Sequence, residues 1–73
     1  MIRLTGVFNP SFRIEIDKFC FHNEISICYR TSLGNVDMYT FSGEHDSIDK
    51  LIEYNKKLET ELKRKSLWYR LLN

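Results

Sequence analysis

A chain of 73 residues has room for one domain, and at that length folding hides only about 60% of the surface an unfolded chain exposes, so stability is marginal. A net charge of +1 excludes the plainly basic balance of a protein that lives on phosphate backbones. No apolar run approaches the ~20 residues of a membrane span, and Met1 to Gly6 has no secretory hydrophobic region, so the expected address is cytoplasmic, with no membrane partner.

Ile2, Leu4, Gly6 and Phe8 alternate with Arg3, Thr5 and Val7, which predicts a first strand. Asn9-Pro10-Ser11 supplies a turn. Phe12, Ile14 and Ile16 then alternate with Arg13, Glu15 and Asp17 as a half-buried second strand. The alternation slips at Asp17-Lys18 and resumes at Phe19 and Phe21, as it does across a β-bulge, with a turn as the competing reading. His22-Asn23-Glu24 reads as a three-residue hairpin loop leading into a third strand, Ile25 to Leu33. Gly34-Asn35 is a two-residue turn of the Gly-X type that sets Leu33 against Val36, Thr31 against Met38 and Arg30 against Tyr39, and Gly43 ends the fourth strand.

Asp46 has N-cap chemistry, with Ser47 beside it. From there Ile48, Leu51, Ile52, Leu58 and Leu62 recur at helical spacing, with Asn55 interrupting the stripe. Glu53–Lys57, Glu59–Lys63 and Glu61–Lys65 are acid-before-base pairs four apart, each contributing roughly 0.2–0.5 kcal/mol. The expected architecture is α+β: a four-stranded antiparallel sheet in residues 1–43 and one long C-terminal amphipathic helix over 46–72, in the order ββββα.

Chemistry is sparse. Cys20, His22, Cys28 and His45 are soft ligands, but their spacing lacks the short knuckle of zinc modules, so no metal or cofactor is expected, and both thiols are expected reduced. Glu44-His45-Asp46 reads as dipole-complementing acid at a helix start rather than as a general base. No nucleophile, phosphate-cradling Gly loop or paired carboxylates stand at recognisable spacing, so the chain reads as non-enzymatic.

Two surfaces are the candidate contacts. In the predicted register, Ile25, Ile27, Tyr29, Val36 and Met38 face the helix, leaving Arg30, Tyr39 and Phe41, with Cys28, on an open sheet face. The second surface is the helix end, where Trp68, Tyr69, Arg70 and Leu72 carry the anchor chemistry of a protein interface. A helix of about 27 residues spans roughly 40 Å, whereas strands of six to eight residues span only ~20–26 Å, so the helix is expected to overhang its sheet. The heptad from Ile48 through Leu72 suits pairing with a second copy, although Lys65 falls on the seam.

The function expected is protein binding by steric occlusion, with a host or partner protein as target and a homodimer as the expected assembly. The alternative is a nucleic-acid-binding regulator using Lys56, Lys63, Arg64, Lys65 and Arg70. Four antiparallel strands followed by a helix resemble several small phage-encoded inhibitors of host enzymes and defence systems, in architecture and not in motif residues. The absence of Ala and Gln beside abundant Ile, Lys, Asn, Phe and Tyr reflects AT-rich codons, which fits a phage or low-GC bacterial origin.

Overall fold

The computed structural model describes the backbone of residues 1–72 and the side chains of residues 1–64. Strand β1 (Ile2–Phe8) leads through a single 3-10 turn (Pro10–Phe12) into helix α1 (Arg13–His22). Strands β2 (Ser26–Ser32) and β3 (Asp37–Gly43) follow, and helix α2 (His45–Leu72) ends the chain. The sheet has three antiparallel strands in the order β1-β3-β2. The α+β class is as expected, but the four-stranded, one-helix arrangement is corrected: the segment expected as a second strand is α1.

The reason lies in which apolar residues find cover. Phe12, Ile16 and Cys20 recur four apart and are all buried, one stripe of a helix that begins as the 3-10 turn. Ile14, which completed the apparent alternation, is instead 67% exposed, and Phe21 is 82% exposed on the same outer side. The slip at Asp17-Lys18 was helical period, not a bulge. Local chemistry starts the helix: Asn9 Oδ1 accepts a hydrogen bond from the Ser11 N–H at 2.9 Å, and Pro10 enters where its missing N–H would have been an orphan.

His22-Asn23-Glu24 is likewise a helix end and not a hairpin loop. The Ile25 N–H donates to the Cys20 carbonyl at 2.9 Å, and Glu24 takes a left-handed φ of 56°. This is the six-to-one bond of a Schellman stop, and Ile25 and Cys20 supply its accompanying apolar contact. Asn23 reinforces it, its side-chain N–H donating to the Phe19 carbonyl at 2.9 Å.

The β2–β3 hairpin follows the expected register: Thr31 faces Met38 and Arg30 faces Tyr39, and the Leu33 N–H donates to the Val36 carbonyl at 2.8 Å. Gly34 has φ of 88° while Asn35 stays at negative φ, the requirement of a II′ turn. The face is the opposite of the one expected. Tyr39 and Phe41 point at the helices, 1% and 0% exposed, and Met38, Thr40 and Ser42 point away. A register irregularity between Ile27 and Tyr29 puts the bulge at Cys28, so Ile27 and Arg30 share the helix side while Tyr29 turns to the open side. That open side carries a Thr5–Thr40 hydroxyl pair at 3.1 Å, beside exposed Val7 and Tyr29.

The core joins Phe8, Phe12, Ile16, Cys20, Ile25, Tyr39, Phe41, Ile48 and Leu51. Phe19 stacks on Tyr54 at 4.7 Å to close α1 against α2. Helix α2 starts at His45, with the Ile48 N–H donating to the Glu44 carbonyl at 3.0 Å, so Asp46 lies in the first turn rather than capping it. Burial then fades along the helix, from 0% exposure at Leu51 to 43% at Leu62, so α2 outruns its core as expected. No helix among the described residues is long and apolar enough to cross a membrane.

Glu24 pays a left-handed strain that glycine would not. Glu24→Gly is expected to stabilise the fold by about 0.5 kcal/mol, raising Tm by a few °C in a thermal melt. An unchanged or lower Tm would show that the left-handed residue is not the weak point of this turn.

Candidate functional site

Two features stand out from the packed frame: a polar cluster where α1 crosses the sheet, and a groove between the start of α1 and the middle of α2. The cluster is built on Asp37, the first residue of β3, which points inward and is 1% exposed. Arg13, at the first turn of α1, donates from both Nε and Nη2 to Asp37 Oδ2, at 3.1 and 2.8 Å. Asp37 Oδ1 is buried with no hydrogen-bond partner among the described residues. Tyr39 lies beside this pair. On its other side the Arg30 guanidinium sits 5.9 Å from the ring centroid and reaches Asp17 on α1 at 3.4 Å. Two arginines and two aspartates thus alternate around one phenol.

The electrostatics follow from burial. Desolvation raises the Tyr39 phenol above its usual range, opposed by the neighbouring Arg30 guanidinium, while the Asp17 and Asp37 carboxylates add to the rise. The hydrogen bond and charge of Asp37 raise Arg13 further, so it stays cationic throughout. Burial, with Asp17 as a lesser cause, pushes the Cys20 thiol up to about 11. A thiol held protonated is a poor nucleophile and a poor metal ligand. The cluster's two ion pairs, Arg13–Asp37 and Arg30–Asp17, are each charge-neutral and clamp α1 to the sheet.

The groove, of about 210 Å³, is lined by Ser11, Phe12, Glu15, Leu58, Glu61 and Leu62. Phe12, Leu58 and Leu62 make it apolar, while Glu15 and Glu61 make it acidic. Glu15 Oε2 is buried without a hydrogen-bond partner among the described residues. Its volume falls below the roughly 300–1,000 Å³ of small-molecule pockets and suits a single side chain.

No family model matches the chain, and no curated protein or solved structure shows significant similarity to it. The reading of the site therefore rests on its geometry.

The expected contact residues separate. Arg30 does stack on Tyr39, but on the helix side. Tyr39 and Phe41 are core, so the sheet platform expected from them is corrected; the face was misassigned because apolar residues occur on both sides of β3. Trp68, Tyr69, Arg70 and Leu72, and Lys65 of the basic set, lie outside the residues whose side chains are described. Lys56, Lys63 and Arg64 are exposed along α2. Cys20 is buried in α1 and Cys28 is exposed at the bulge, both as free thiols, with α1 holding Cys20 where a strand was expected. His45, Asp46 and Asp49 bring donor atoms within 4.8 Å of one another, all exposed, on a helix start where acid is favoured by the dipole. Sequence reasoning missed Arg13, Asp37 and Glu15. A lone Asp at the start of a strand, after a tight turn, was the available signal for the first pair.

Breaking the clamp from either side should give unequal losses. Arg13→Ala leaves the Asp37 carboxylate buried without its cation, whereas Asp37→Asn leaves a half-exposed Arg13 that water can solvate. Arg13→Ala is expected to lower Tm more than Asp37→Asn, although alanine favours the helix. Equal losses would show that the pair does not carry the docking of α1.

The raised Cys20 and Tyr39 groups contribute stability that is fully present below their unfolded pKa values and is lost as pH rises through the folded ones. For the thiol this window runs from its ordinary 9.0 to about 11. Thermal melts at pH 8 and pH 11 are expected to show a lower Tm at the alkaline end, and an unchanged Tm would contradict the assignment.

Proposed function

We propose that this chain is a non-enzymatic protein-binding module that acts by steric occlusion, through the distal half of α2 and the groove at its base. The observation that carries this reading is the length mismatch. Helix α2 has 28 residues against strands of seven, and its apolar stripe continues past the point where the core stops covering it. Leu62 lines the groove at the edge of that cover, and the sequence beyond it supplies Leu67, Trp68, Tyr69, Leu71 and Leu72. Apolar and aromatic side chains past the end of a core are what a protein partner covers.

Tyr39 and Phe41 are used in folding and are not open to a partner. The exposed stripe of Ile14 and Phe21 on α1 adds apolar area outside the core. The AT-rich residue usage accords with an inhibitor or adaptor from a phage or mobile element, directed at a host protein. The acidic character of the groove favours a polypeptide over a phosphate backbone as its occupant.

Leu62→Arg and Trp68→Ala test this reading. Both are expected to keep Tm within a few °C and to reduce capture of the partner from a host-cell lysate at least tenfold, which is about 1.4 kcal/mol. Capture at wild-type strength by both variants would exclude the distal helix as the contact surface.

A further inference from the structure

The groove carries a requirement of its own. Its walls, Phe12, Leu58 and Leu62, are apolar, but two carboxylates share it and no basic residue among the described ones lines it. Glu15 Oε2 has lost water without gaining a donor among the described residues, which is the situation that a cationic side chain on an apolar body relieves. The occupant is therefore a segment that presents Lys or Arg next to large apolar groups.

The C-terminal part of α2 is such a segment. Between Lys63 and Leu72 it has Lys63, Arg64, Lys65 and Arg70, no acid, and Trp68 and Tyr69 among leucines. The Trp-bearing part of that segment cannot turn back into the groove of its own molecule. Helix α2 continues without a break to Leu72, so a segment that starts one residue after the groove wall at Leu62 runs on along the axis and does not turn back. A second copy has no such restriction. We infer that the groove is closed by the cationic, Trp-bearing end of α2 from a second copy, in an antiparallel crossing of two α2 helices. This rests on the reading that the distal helix and the groove form one binding surface, and it makes a second copy the occupant of that surface when no host protein is bound.

The crossing is self-complementary. Centred on position 63, it brings Glu61 of each copy level with position 65 of the other, a lysine, and Leu58 level with position 68, a tryptophan. Acid meets base twice, and each groove receives one large side chain. The two contacts are related by a two-fold axis, so the assembly closes at the dimer and leaves no unfilled groove to recruit a third copy.

Sedimentation equilibrium on the full chain tests this with charge reversals at Glu61 and Lys65. The wild type is expected to be dimeric. Glu61→Lys alone places lysine against lysine at both contacts, and Lys65→Glu alone places glutamate against glutamate, so each variant is expected to raise the dimer Kd at least tenfold. An equimolar mixture restores both acid–base contacts and is expected to recover a one-to-one heterodimer near the wild-type Kd. Circular dichroism of each variant checks that the helix is kept; should either reversal unfold, Glu61→Gln and Lys65→Gln replace them, each expected to weaken the dimer. A wild type that stays monomeric at millimolar concentration overturns the inference, and so do variants that dimerise unchanged or a mixture that fails to recover. If the wild type is monomeric while Leu62→Arg abolishes capture of a different protein, the second copy is excluded and the broader binding reading survives. If both measurements fail, both fall.

Discussion

Three rings on the helix side of the sheet hold this molecule together. Tyr39 and Phe41 stand two apart on the central strand with centroids 5.0 Å apart, and Phe8 reaches them from β1 at 5.5 and 5.4 Å. The two Phe8 contacts tie the edge strand to the middle one through side chains as well as through the backbone ladder. Each such pair contributes about 0.5–1.5 kcal/mol beyond the area it buries, a large share for so small a domain. The rest of the structure answers to the need to cover that seam. The 3-10 turn brings Phe12 onto it, helix α1 brings Ile16 and Cys20, and the first turns of α2 bring Ile48 and Leu51.

Covering one face with two helices has geometric consequences. Helix α2 leaves the end of β3 and must run back across the sheet, yet the rings need cover over only its first two turns or so. The remainder continues past the sheet, and the chain measures 47 Å in its longest dimension against 16 Å in its shortest. The groove lies where the returning helix passes the 3-10 turn that opens α1. Its acidic lining is a by-product of placing Glu15 and Glu61 on the two helix flanks that meet there. Structure and proposed contact surface thus share one cause, a helix longer than the seam it covers.

How much of this was legible in the residues depends on how local the deciding interaction is. The β2–β3 register could be counted from Gly34-Asn35, because a Gly-X turn fixes strand pairing by itself. Helix α2 could be read from its stripe and its lack of Gly or Pro. Helix α1 could not, because Phe12, Ile14 and Ile16 fit period two as well as Phe12, Ile16 and Cys20 fit a helix, and only the sheet decides which set is covered. The inward face of β3 was hidden for a similar reason: Val36 and Met38 compete with Tyr39 and Phe41, and the bulge at Cys28 changes phase within β2. The Arg13–Asp37 clamp links positions 24 apart in sequence and gives no local pattern. Glu15 entered the groove only once the segment around it became a helix.

The strand order has a consequence for how the chain assembles. Strands β2 and β3 are neighbours in sequence and can zip from Gly34-Asn35, closing a very small loop. Strand β1 pairs with β3 from Ile2–Gly43 to Phe8–Asp37, across all of α1 and the hairpin, so its pairing carries the larger loop-closure entropy. By contact order the hairpin forms early and β1 docks late, once Phe8 can lodge against rings already in place. The same hierarchy runs in reverse on opening. Loss of β1 would leave one edge of β3 unpaired from Asp37 to Gly43 while the other edge stays paired with β2.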